Sequence, residues 1–94
     1  MAKAVLTWNA NSESDLAGYK IYRGVNGAAL TLLAQVPKVV TYTDDPLPTI
    51  DGNITYAISA FDTSGNESPK TAPVTKVVNT VPPVAPSGLV VVIE

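Results

Sequence analysis

The chain has 94 residues, enough for one modest hydrophobic core and too few for two. Apolar residues make up 46% and charged residues 15%, which excludes an extended disordered chain, and Pro and Gly interrupt every stretch that could cross a bilayer as a helix. A net charge of −2 without a basic stripe argues against binding nucleic acid through its phosphates, and the absence of Cys and His removes disulfides, thiol nucleophiles, imidazole bases and the commonest zinc ligands.

Short segments with a period of two, separated by turn residues, predict an all-β chain. Residues 4–9 form the first such segment, with Leu6 and Trp8 on one face because side chains alternate along a strand. The polar run 9–15 is a loop. Residues 18–24 then turn Tyr19 and Ile21 inward and Lys20 and Tyr22 outward, and Val25-Asn26-Gly27 reverses the chain. Residues 30–36 and 39–43 read as two further strands around Pro37, which lacks the N–H that a ladder needs and so marks a corner. After a loop rich in Asp, Pro and Gly, residues 53–62 form the clearest strand, with Ile54, Tyr56, Ile58 and Ala60 on one face. A turn at Thr63-Ser64-Gly65-Asn66 leads to a last strand over residues 71–79, ahead of Pro82 and Pro83. Strands spaced this closely favour a sandwich or barrel.

Leu6-Thr7-Trp8, the run Asp15-Leu16-Ala17-Gly18-Tyr19-Lys20-Ile21-Tyr22-Arg23, Tyr42-Thr43-Asp44, Tyr56-Ala57-Ile58-Ser59-Ala60 and Asp62-Thr63-Ser64-Gly65-Asn66-Glu67-Ser68 together resemble a bacterial-type fibronectin type III domain. The resemblance covers roughly residues 4–79. It implies an immunoglobulin-like Greek-key β-sandwich of about seven strands, in which the six segments above supply strands B, C, C′, E, F and G. Strand A is missing from the front. The resemblance also makes Tyr56 the corner tyrosine, its hydroxyl reaching backbone of the E–F loop near Leu47.

This division leaves a sandwich over residues 1–80 and a second segment, 81–94, that resembles a Pro-rich linker and the strand A of a following repeat. Leu89, Val91 and Ile93 share one face of that segment, and Val90 and Val92 share the other. A free tail of this kind is disfavoured in water and prone to aggregate. Three arrangements are open: a segment cut from a longer array, a strand donated to a neighbouring copy, or a return in cis beside strand B or strand G. Donation in one direction gives a fibre or ring, and reciprocal exchange gives a two-fold dimer.

No catalytic, cofactor or metal site is expected. Asp44, Asp45, Asp51 and Asp62 match no metal-loop spacing and read as turn residues, while Glu13 and Glu67 read as solvated rim. Asn53-Ile54-Thr55 and Asn66-Glu67-Ser68 are chance matches to the glycosylation pattern. Tyr22 and Phe61 point outward and are candidate surface contacts, with ordinary cross-strand packing as the simpler account. The expected function is therefore a non-enzymatic structural or assembly module, with a further copy of itself as partner through Leu89, Val90, Val91, Val92 and Ile93. Neither nucleic acid nor a membrane is an expected partner. The resemblance also implies an alternative, an accessory binding or spacer module of a secreted bacterial carbohydrate-active enzyme or surface protein, and it favours an extracellular, cell-surface or virion-associated location.

Overall fold

A computed structural model describes residues 2–94; Met1, with which the sandwich expected over residues 1–80 opens, lies outside the described residues. The described residues form six strands and no helix: β1 (Ala4–Thr7), β2 (Leu16–Val25), β3 (Thr31–Val36), β4 (Thr41–Asp44), β5 (Asp51–Asp62) and β6 (Val74–Asn79). They make two antiparallel sheets, a pair β1-β4 and a four-stranded sheet in the order β3-β2-β5-β6.

The core sits between the sheets in a sandwich-like arrangement. The pairing of β2 with β5 sets Tyr19 opposite Ala60, Ile21 opposite Ile58 and Arg23 opposite Tyr56, so one face of the larger sheet is apolar almost throughout. Tyr19, Ile21, Ile54, Tyr56, Ile58 and Leu16 are buried there, and Ala4, Leu6, Trp8 and Tyr42 of the smaller sheet and its flank pack against them. Each such aliphatic or aromatic side chain contributes roughly 1.5–3 kcal/mol on burial. Trp8 meets the Tyr19 ring edge to face, with centroids 5.4 Å apart, and the Tyr19 hydroxyl accepts a hydrogen bond from Asn11 N at 2.8 Å.

The strands differ from the expected ones mainly at their ends. The last strand begins at Val74 rather than residue 71, because Thr71 is engaged with Ile58 through both its backbone N–H and its hydroxyl, and Pro73 has no N–H to offer a ladder. The fourth begins at Thr41, since Val39 N donates to Pro37 O in a tight turn. The fifth starts two residues early, at Asp51, where Asn79 of β6 pairs with it. The seventh expected strand, over residues 87–93, is unpaired with any strand of its own chain and lies along neither β1 nor β6.

Candidate functional site

Beside β1 one edge of the smaller sheet is open. Trp8 N donates to Val40 O at 3.1 Å, continuing the register that pairs Leu6 with Tyr42 and Ala4 with Asp44. Backbone groups in an antiparallel ladder face alternate sides. Ala4 and Leu6 therefore face β4, and Val5 and Thr7 aim their N–H and C=O groups at the side where no described strand lies. A groove of about 420 Å³ opens along this edge, between β1 and the start of β6. Leu6 and Trp8 form one wall, Tyr56 and Ile58 the floor, and Ala72 and Val74 the other wall. Val74 is exposed, although it belongs to a strand flanking the core, because nothing covers it. The site combines two needs of an incoming strand, unused backbone donors and acceptors and an apolar floor.

The same chain carries a segment with matching chemistry. Leu89, Val90, Val91, Val92 and Ile93 are all exposed, from 71% at Val92 to 89% at Leu89 and Ile93. Their place relative to the groove follows from the loop that joins β4 to β5. Leu47 N donates to Ala2 O just ahead of β1, while Thr80, just beyond β6, exchanges hydrogen bonds with Ile50 and donates its hydroxyl to Pro48 O at 2.6 Å. The start of β1 and the end of β6 thus lie at one pole of the sandwich. From that pole the tail points away. A strand the length of β5 spans about 40 Å at roughly 3.4 Å per residue, and residues 81–94 in extended form span about 43 Å at roughly 3.1 Å per residue. Only an end-to-end arrangement of the two accounts for dimensions of 78 × 24 × 18 Å. Pro82, Pro83 and Pro86 stiffen the connection.

Tyr22 and Phe61 lie on the outer face of the larger sheet, where the structure joins them to charged neighbours. The Tyr22 hydroxyl donates to Glu67 Oε2, the Lys70 ammonium sits 4.3 Å above the Tyr22 ring centroid, and Lys20 Nζ lies 5.6 Å from that of Phe61 and 3.3 Å from Glu67 Oε1. Ser59 Oγ, which is buried, donates to Glu67 at 2.6 Å. Hydrogen bonds from Ser59 first, then Tyr22, hold the Glu67 carboxyl down at about 2, and Glu67 in turn raises the Tyr22 phenol. Glu67 is exposed, as expected of a rim residue, and is also the centre of a cross-strand hydrogen-bond network.

Two further expectations are corrected. Tyr56 does not bond backbone near Leu47; its hydroxyl donates to Asp44 Oδ2 at 2.5 Å. Asp44, expected as a turn residue, is buried and receives both that bond and two from Arg23 Nη1, at 2.9 and 3.2 Å. The arrangement was signalled by parity: Arg23 shares the inward face of β2 with Tyr19 and Ile21, and a charge on an apolar face needs a buried counter-charge. Asp62 does act as a turn residue, accepting from Ser64 N, Asn66 N and Asn66 Nδ2, bonds that hold its carboxyl below the usual range, those from Asn66 foremost. Among the described residues no group of three or more His, Cys, Asp or Glu could hold a metal ion. No helix of the described residues is long and apolar enough to cross a membrane. Comparison of the chain with family models, curated proteins and solved structures finds no match.

Proposed function

We propose that this chain is a non-enzymatic structural module of fibronectin type III character that joins to further copies of itself by donating residues 87–93 into the position beside β1. The strand segregation supports the fibronectin reading: the expected B and E segments share one sheet, and the expected C′, C, F and G segments share the other in that order. One observation carries the assembly reading. A five-residue apolar run exposed on one part of the chain accompanies an unfilled, apolar-floored strand position on another. Filling the position would pair the outward N–H and C=O groups of Val5 and Thr7, cover Val74 and remove three apolar tail side chains from water.

Light scattering over a dilution series tests this directly. The full chain gains mass with concentration, and deletion of residues 87–94 abolishes the gain and leaves the Val5 and Thr7 amides exchanging freely with solvent. A full chain that stays at 9.8 kDa at every concentration overturns the proposal.

A further inference from the structure

We infer that donation runs in one direction, each tail entering the next copy antiparallel to its β1, so that the product is an open, polar fibre rather than a two-fold dimer. This rests on the donation reading above and adds its geometry. β1 runs away from the pole at which Ala2 meets Leu47, and β6 runs toward that same pole, where Thr80 meets Ile50. The tail leaves there and continues outward along the long axis.

A copy stacked in the same orientation presents its opposite pole to this tail, the pole where Trp8 meets Val40 and Thr63 N donates to Asp15 O. The tail then descends beside β1 against its direction. A copy turned over by a two-fold axis presents its Ala2 pole instead, and the tail would have to run parallel to β1. The β1-β4 pair is antiparallel, and sheets of one kind are favoured over mixed ones. A return in cis would also be parallel, and would demand a reversal within the Pro82, Pro83 and Pro86 linker. The translational stack satisfies the polarity of β1 with the tail extended as it stands. It leaves one open groove and one free tail at the ends of every assembly, so growth does not close.

Register follows from the faces. Ala4, Leu6 and Trp8 are the inward residues of β1 and its extension, so opposing donor residues must also face inward. Setting Leu89, Val91 and Ile93 opposite Trp8, Leu6 and Ala4 covers the whole edge with the larger apolar set facing the floor. Val90 then lies opposite Thr7, and Val92 opposite Val5, all four pointing outward.

The chain has no cysteine, so introduced pairs report cleanly. Two full-length double variants are compared under mild oxidation and denaturing electrophoresis: Thr7→Cys with Val90→Cys, and Thr7→Cys with Val92→Cys. The first pair is adjacent only in the antiparallel register, the second only in the parallel one. The inference expects the first variant to give a reductant-sensitive ladder of covalent oligomers extending beyond the dimer, and the second to give none. A ladder that stops at a covalent dimer, or at one closed larger size, overturns the open fibre. Trapping by the second variant alone, or by neither while the unmodified chain still associates, overturns the antiparallel register and leaves donation standing. An unmodified chain that never associates removes the donation reading itself.

Discussion

Tyr56 donates its hydroxyl to Asp44 Oδ2 at 2.5 Å across the space between the two sheets, β5 supplying the phenol and β4 the carboxylate. Arg23 of β2 completes the link, with its guanidinium 2.9 Å from the same oxygen. Burial first, and then Asp44, push the Tyr56 phenol well above its ordinary value, so it remains a donor through the neutral range. Of the side-chain bonds in the sandwich, these join the sheets directly, at the pole from which the tail leaves.

Tyr56→Phe removes that bond and keeps the ring. The expected loss is about 1.5–3 kcal/mol, the range for a hydrogen bond to a charged group, read as a lower urea midpoint at unchanged slope. Because the folded phenol titrates above its ordinary value of 10.0, its contribution is complete below that pH and is lost as pH rises beyond it. Alkaline destabilisation is therefore smaller in the Phe variant than in the parent.

Glu67 gives the opposite pH dependence. Its folded carboxyl titrates at about 2 against an ordinary 4.5, so its contribution is complete above 4.5 and is lost as pH falls toward 2. The melting temperature of the parent falls across that window, and Glu67→Gln flattens the fall while lowering stability at neutral pH. Asp62, depressed in the same sense, leaves a residual slope. The carboxylate is partly exposed, so added salt reduces the difference between parent and variant.

Gly18 stands at the irregularity where β2 leaves register with β5, and a Cβ there would lie 2.2 Å from Val36 O and 3.1 Å from the Phe61 ring. A backbone carbonyl held in the β2-β3 ladder yields little. Gly18→Ala is expected to cost about 1–3 kcal/mol by urea denaturation, as for other overpacked sites.

Thr7→Pro tests the open edge without disturbing the tail. The lost N–H faces away from β4, so the isolated chain is expected to lose about 1 kcal/mol or less. Under the proposed donation the variant no longer accepts a strand, and light scattering of the variant mixed with parent chain is expected to show shortened assemblies. Leu6→Pro, which removes an N–H facing β4, instead unfolds the chain at lower urea.

Much of the fold was legible from spacing. The inward pairing of Tyr19 with Ile21 and of Ile54 with Tyr56 and Ile58 follows from period-two alternation alone, because each strand must bury one face. Strand ends were less legible: Thr71 is diverted by hydrogen bonds with Ile58, which sequence spacing does not bring near it, and Val39 by a tight local turn onto Pro37 O that its residue type does not announce. The role of Asp44 was hidden for a similar reason. Its neighbours in sequence, Asp45 and Pro46, speak for a turn, while its partners Arg23 and Tyr56 come from two other strands.

By itself the sequence determined the all-β character, the inward faces of the strands and the presence of an apolar run, Leu89 to Ile93, that water disfavours. These are local properties, set by side-chain alternation and composition. That no strand A precedes the first strand was already an expectation of the resemblance; only the tertiary structure decided that Val5 and Thr7 carry the unused backbone groups of that edge and that the tail leaves from the pole where β1 begins. Polarity of this kind arises from how distant strands are brought together, and no residue pattern along the chain encodes it alone.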